Sequence, residues 1–181
     1  RTRARRRYTQ FVTMLLSNLA KDVNTCDSLC EEGAVHALMG LVQSPNFGKQ
    51  KYAVMALANI TQFMSDDKVT IFSNEFIDRV IKMAVNSDID LHVEVATLIR
   101  NLSFHSSFAH QLRSRGALIA IAVVKKSIFP IVRDAGQLAA TNLMENVNEV
   151  ATATTKVGNV RSESPTRAAS PSVVMRSEKQ M

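Results

Sequence analysis

The sequence has no tryptophan, and it has only four prolines and six glycines in 181 residues. Because proline and glycine interrupt helices, their scarcity favours a helical protein. No segment alternates apolar and polar residues for long between turn residues, which argues against a fold built from β-strands. The longest apolar run, Ala117–Val124, is far shorter than the roughly 20 residues needed to cross a bilayer. We therefore expect a helical protein without a membrane span.

Groups that could carry chemistry are also scarce. The two cysteines, Cys26 and Cys30, share one helix face, but with His36 nearby they still lack the four ligands and paired spacing of a tetrahedral metal site. We expect reduced, apolar thiols, which suit a cytoplasmic or nuclear protein. No histidine lies in a known nucleophile pattern, and no phosphate-binding glycine loop is present. We therefore expect no enzyme activity, no metal and no cofactor.

The net charge of +6 is concentrated at the two ends of the chain. Five arginines occur within residues 1–7, and residues 150–181 carry five lysines or arginines against two glutamates. Residues 8–149 carry twelve basic and fourteen acidic side chains. A nucleic-acid interface requires a basic face on the folded body. We therefore expect no nucleic-acid partner.

Four asparagines recur at a nearly constant interval, each after an apolar run and before Leu or Ile. They are Asn18, Asn59, Asn101 and Asn142, separated by 41, 42 and 41 residues, and are called the asparagine ladder below. A period of 40 to 47 residues with two or three helices in each unit is the sequence mark of HEAT and armadillo arrays. The spacing thus predicts a repeat protein.

Each repeat unit is interpreted as three helices. The predicted helices are residues 24–32, 34–43 and 49–63, then 67–73, 76–86 and 89–104, then 107–114, 117–127 and 131–147, with a lone third helix at 8–20 before them. Gly33 and Gly116 occupy the same corner between the first and second helices of their units. Glycine readily adopts the backbone angles of a sharp turn. In the middle unit we expect Asn74 to take that left-handed role.

The helix opening "GAVHALMGLV" (residues 33–42) and the asparagine ladder resemble the armadillo-repeat family, which includes β-catenin, importin-α and vacuolar adaptor solenoids. The resemblance covers residues 8–149. It implies an all-α, right-handed superhelical solenoid of about three full repeats plus one preceding third helix. It also implies that the third helices line a concave groove, where Asn18, Asn59, Asn101 and Asn142 hold the main chain of an extended peptide.

The chemistry of an asparagine amide suits that role. The amide offers two donors and an acceptor, so it can bond both the C=O and the N–H of a partner's peptide unit. Packed helices lie about 8–10 Å apart and an extended chain advances about 3.3 Å per residue, so one asparagine would meet the ligand every two or three residues. The alternative is that these amides only bond the backbone of the neighbouring repeat.

Specificity must come from side chains beside the ladder. Helical spacing selects Met55, Lys51, Tyr52 and Glu94, together with Arg100 directly before its asparagine. The positions four residues before each asparagine are Met14, Met55, Thr97 and Leu138, where importin-α typically has tryptophan. Without that aromatic surface we expect no binding of basic localisation peptides. A partner with apolar anchors and a few charges of both signs fits better.

The two ends differ from the solenoid. We divide the chain into a basic segment (1–7), the armadillo-repeat solenoid (8–149) and a Ser/Thr-rich tail (150–181) that we expect to be disordered. Ser164 and Ser170 precede prolines and are possible phosphorylation sites. Because the sequence enters the solenoid at a third helix, we expect a monomeric part of a longer solenoid.

These observations favour a non-catalytic scaffold or adaptor that binds an extended peptide segment of a partner protein. One alternative is a membrane-surface or localisation adaptor that uses the basic ends. Another is a regulatory segment of a larger multidomain protein or enzyme.

Overall fold

A computed structural model describes the backbone of residues 2–66, 68–86 and 89–160, and the side chains of residues 7–66, 68–85 and 91–145. All of the regular structure in these residues is helical. In chain order the elements are α1 (Thr2–Leu19), α2 (Val23–Glu31), α3 (Ala34–Val42), α4 (Phe47–Phe63), a 3₁₀ helix (Lys68–Ile71), α5 (Asn74–Asn86), α6 (Ile89–Phe104), α7 (Ser106–Ser114), α8 (Ala117–Val124) and α9 (Pro130–Val160). The predicted all-α fold class is confirmed.

The third helices of successive units pack side by side. Helix α4 lies between α1 and α6 in a layer of third helices. The shorter second helices α3, α5 and α8 form a second layer that packs against the first. A continuous apolar core fills the space between the two layers, with Leu38, Leu57 and Leu102 among its fully buried side chains. Burial of these faces against neighbouring units is the main source of stability in a repeat protein.

The glycine corners are present as predicted. Gly33 and Gly116 have φ of 75° and 82°, and each is the N-cap residue directly before the second helix of its unit. The prediction for Asn74 is wrong, because no described residue other than glycine has a positive φ. Asn74 instead begins α5, and the Ser73 hydroxyl accepts a hydrogen bond from the Phe76 N–H at 3.3 Å. The middle corner therefore uses a serine cap.

Most predicted helix ends lie within three residues of those in the structure, and three differences are larger or change the type of helix. Helix α1 begins at Thr2 rather than Tyr8, since arginine and alanine favour helix. The predicted helix at 67–73 is a 3₁₀ helix of four residues, and its run of β-branched side chains, Val69 to Ile71, disfavours a longer α-helix. Residue 67 lies outside the described residues.

The third difference lies at the end of the solenoid. The chain divides into two units, Arg1–Asn148 and Glu149–Met181, close to the boundary that the composition predicts. Helix α9 continues to Val160 rather than ending at the predicted residue 147, and the predicted disorder of residues 150–181 stays a prediction. Extending a formed helix adds a hydrogen bond per residue without a new nucleation step. Residues 161–181, with Ser164 and Ser170, lie outside the described residues.

None of the helices in the described part of the chain combines the length and the apolar character that crossing a membrane requires.

Candidate functional site

The ladder asparagines connect successive third helices. The Nδ2 amide of Asn59 on α4 donates to the carbonyl oxygen of Ser17 on α1 at 2.9 Å. In the next repeat, Asn101 Nδ2 on α6 donates to the carbonyl oxygen of Ala58 on α4 at 2.7 Å. Each acceptor is the residue directly before the asparagine of the preceding unit. The structural role that the sequence left open is therefore present in these two repeats.

Asn142 and Asn18, at the two ends of the ladder, have different hydrogen-bond partners from Asn59 and Asn101. Asn142 Nδ2 on α9 donates to the Ser103 hydroxyl at 3.0 Å and lies 3.5 Å from the carbonyl oxygen of Arg100, both on α6. Asn18 is exposed and its Oδ1 accepts from Lys21 Nζ at 3.3 Å, a contact within its own turn. The connection between units thus starts at the second ladder asparagine.

The ladder asparagines differ in what remains available to a ligand. Within the described residues, Ser17 is the hydrogen-bond partner of the half-buried Asn59 side chain, which leaves a second N–H and the oxygen of that amide. Asn101 is only 8% exposed, and its Oδ1 accepts two hydrogen bonds from Arg100, from Nε at 3.1 Å and from Nη2 at 2.9 Å. The guanidinium of Arg100 thus occupies the oxygen of Asn101.

A cavity of about 430 Å³ opens between the third helices α4, α6 and α9. Two exposed apolar side chains lie in it, Phe104 at 76% exposure and Leu138 at 50%. The described residues that line it are Thr61, Gln62, Met64, Arg100, Asn101, Phe104, His105, Leu138 and Asn142. Two ladder asparagines and the predicted Arg100 therefore share one cavity with apolar side chains.

One wall of the cavity is fixed by a histidine. His105 is buried and forms a 2.5 Å contact from Nδ1 to Oδ1 of Asp66, in the segment after α4. The ring of Phe104 meets the His105 ring edge to face, with centroids 6.1 Å apart. Neither Phe104 nor His105 was among the residues that the sequence selected. Phe104 lies one turn after Arg100, and this spacing was the available signal.

The other predicted side chains lie elsewhere on the third helices. Lys51, Tyr52, Met55 and Glu94 are half-buried and none of them lines the 430 Å³ cavity. Burial raises the pKa of the Glu94 carboxyl, and the positive charges of Lys51 and Lys21 oppose this shift by smaller amounts. Of the predicted site residues, the structure thus places Arg100, Asn101 and Asn142 in one cavity. The predicted residues on the earlier turns of α4 and α6 lie outside that cavity.

A second cavity, of about 310 Å³, lies between the second helices α3 and α5 and the 3₁₀ helix. Its lining is His36, Met39, Gly40, Gln43, Ile71, Ser73, Phe76 and Arg79. It contains no ladder residue.

The cysteines remain free thiols. Cys26 is buried and donates to the carbonyl oxygen of Ala20 at 3.4 Å, and Cys30 is half-buried. Burial raises the pKa of both thiols. No group of three or more potential metal ligands occurs in the part of the chain that the structure describes.

Comparison with known proteins finds similarity at the level of structure. No family model and no curated protein sequence matches the chain. A designed armadillo repeat protein superposes with a TM-score of 0.69 at 20% identity, covering 75% of this chain and 58% of its own. The chain has an armadillo-type repeat fold. This confirms the predicted fold and the resemblance, while sequence identities this low establish the fold alone.

Two other solved proteins are similar to the armadillo-type solenoid. An engineered protein superposes with a TM-score of 0.69 at 18% identity, covering 80% of this chain and 61% of its own. A designed armadillo repeat protein in complex with the peptide (KR)4 has a TM-score of 0.62 at 21% identity, with 71% and 54% covered. The chain spans less than two thirds of the length of each of these proteins.

Proposed function

We propose that this armadillo-type solenoid is a non-catalytic scaffold that binds an extended segment of a partner protein along its third helices. The observation that carries the proposal is the cavity between α4, α6 and α9. It combines the amides of Asn101 and Asn142 with the exposed side chains of Phe104 and Leu138. Apolar surface beside a few polar groups is the usual composition of a ligand site.

The geometry of the third helices suits an extended ligand. The backbone of an extended segment needs donors and acceptors at intervals, and the ladder amides recur once in each repeat. At Asn59, Ser17 is the partner among the described residues, so one N–H and the oxygen remain for a ligand. The amides would then serve two functions, because the bond to the preceding helix also orients each amide.

One structural neighbour supports peptide binding as the general mode. The designed armadillo repeat protein named above was solved with the peptide (KR)4. The cavity here presents Arg100, and no carboxylate is among its described lining residues. We therefore expect this chain to bind a peptide along its third helices as a general mode, but to prefer a peptide other than the basic (KR)4.

The test is a selection from a random peptide display library on the folded full chain, followed by affinity measurements on two matched variants. Leu138→Asp places a charge in the cavity, and Ile119→Asp makes the same change on α8, where Ile119 is 73% exposed. Both side chains are exposed, so both variants should keep the helical circular dichroism of the parent chain.

We expect Leu138→Asp to weaken binding of the selected peptides by about tenfold or more, because a charge in an apolar contact must be desolvated. Ile119→Asp should leave binding unchanged. Equal affinities of both variants for every selected peptide would exclude the third-helix cavity as the binding site.

A further inference from the structure

We propose that the cavity between α4, α6 and α9 selects a peptide segment in which an apolar side chain stands next to an acidic one. The apolar side chain would lie against Phe104 and Leu138, and the carboxylate would bind the Arg100 guanidinium. This inference rests on the proposed peptide-binding function and specifies the chemistry of the partner.

The apolar half of the proposal follows from exposure and placement. Phe104 and Leu138 lie on different helices and line one cavity of about 430 Å³, together with the buried Met64. Exposed large side chains on neighbouring elements gain free energy when a ligand removes their surface from water. A cavity of this size can take a large aliphatic or aromatic side chain.

The preference for an acidic side chain follows from the present hydrogen-bond partner of Arg100. Its guanidinium donates two hydrogen bonds to a neutral amide oxygen, that of Asn101, and no carboxylate of the described residues forms an ion pair with it. A guanidinium and a carboxylate form short, often bidentate hydrogen bonds in which both partners are charged, whereas the amide oxygen of Asn101 is neutral. A ligand carboxylate would therefore compete successfully with the amide oxygen.

Movement of Arg100 has a second effect. When the guanidinium binds the ligand carboxylate, Oδ1 of Asn101 loses its two donors and can accept an N–H from the peptide backbone. Nδ2 of Asn101 keeps its bond to Ala58 throughout. The acidic side chain would thus expose the backbone-reading group of the same repeat, which couples side-chain recognition to main-chain binding.

The other charges near the cavity leave this preference intact. Asp66 contacts His105, so its negative charge faces the imidazole. Glu145 is exposed on α9 and does not line the cavity, and the nearest predicted specificity residue, Glu94, lies nearly two turns before Arg100. Arg100 is therefore the charged group that a ligand in the cavity meets.

The test uses four blocked peptides in one Gly/Ser context that differ at two adjacent positions. The pairs are Phe-Asp, Phe-Asn, Phe-Lys and Ala-Asp. Affinities are measured by NMR titration of the full chain and of Arg100→Gln, Arg100→Lys and Arg79→Gln. Arg79 lies at the second cavity and is the matched control.

We expect the parent chain to bind the Phe-Asp peptide about tenfold or more tightly than the Phe-Asn peptide, the usual effect of a hydrogen bond to a charged group. Arg100→Gln should remove this difference, Arg100→Lys should retain part of it, and Arg79→Gln should retain all of it. The Ala-Asp peptide should bind more weakly than Phe-Asp to every variant. Arg100→Lys keeps the test decisive if Arg100→Gln unfolds.

Two results would overturn the inference. One is equal affinity of the parent chain for Phe-Asp and Phe-Asn. The other is no detectable binding of Phe-Asp at about 1 mM peptide, which means a Kd well above the millimolar range. In either case, loss of binding of the library-selected peptides on Leu138→Asp would leave the proposed function standing. Unaltered binding of those peptides would refute the proposed function itself.

Discussion

Replacement of a single ladder asparagine tests how the third helices are held together. In Asn101→Ala the chain loses the 2.7 Å bond from Nδ2 to the Ala58 carbonyl oxygen, at a position that is only 8% exposed. It also loses the acceptor of the two Arg100 hydrogen bonds. Both losses occur where α4 meets α6.

The expected loss of stability in Asn101→Ala depends on which hydrogen bonds Ala58 and Arg100 can still form. The carbonyl oxygen of Ala58 still accepts from the Thr61 hydroxyl at 3.0 Å, so it does not become an unpaired buried group. The half-exposed guanidinium of Arg100 can turn to water. We therefore expect a loss of about 1–2 kcal/mol in the free energy of unfolding, below the upper end of the range for a broken buried hydrogen bond.

The assay is urea unfolding of the full chain, followed by circular dichroism. Asn18→Ala is the matched control, because Asn18 is exposed and its partner among the described residues is Lys21 on the same turn. Its effect should be below about 0.5 kcal/mol. Asn59→Ala, with a half-buried amide bonded to Ser17, should lie between the two. Equal losses at Asn18 and Asn101, or no loss at Asn101, would refute the structural role of the ladder.

Two further predictions concern a corner and a carboxyl. Gly33→Ala should destabilise the chain by about 1–2 kcal/mol, because Gly33 has a φ of 75° that an L side chain disfavours, although no atom would obstruct the new Cβ. Gly40→Ala, inside α3 and equally open, should stabilise the chain by about 0.5–1 kcal/mol in the same urea assay. A loss of stability at both sites would contradict this reasoning. Burial raises the pKa of the Glu94 carboxyl in the folded chain, so the parent chain loses stability as the pH rises from the ordinary carboxyl pKa of 4.5 through the raised pKa. Glu94→Gln cannot ionise and should therefore raise stability at neutral pH. An equal effect of Glu94→Gln above and below that window in pH-dependent unfolding would count against the pKa shift.

The sequence predicted most of the fold because its signals are local and recur. The period of the ladder located every third helix, and the bounds of α6, Ile89–Phe104, agree with the prediction at both ends. The errors occur where local preference and tertiary context compete. The middle corner lacks a glycine and uses Ser73 as a cap, and α9 ends at Val160 rather than at the predicted residue 147.

The site was predicted only in part, since its geometry depends on side chains from distant parts of the chain. The spacing selected Asn101, Asn142 and Arg100, which do line one cavity. It could not show that Arg100 bonds the oxygen of Asn101, because helical neighbours at adjacent positions do not normally face each other. It also missed His105, whose position is fixed by contact with Asp66, 39 residues earlier.

The central claim is that the third helices form the binding surface for a peptide. Its most direct test is NMR mapping of the full chain with a library-selected peptide, following the side-chain amide signals of Asn101 and Asn142. We predict that these two signals, together with the backbone signals of Phe104 and Leu138, shift most on binding. Largest shifts at the second cavity between α3 and α5, with the asparagine signals unmoved, would contradict the account.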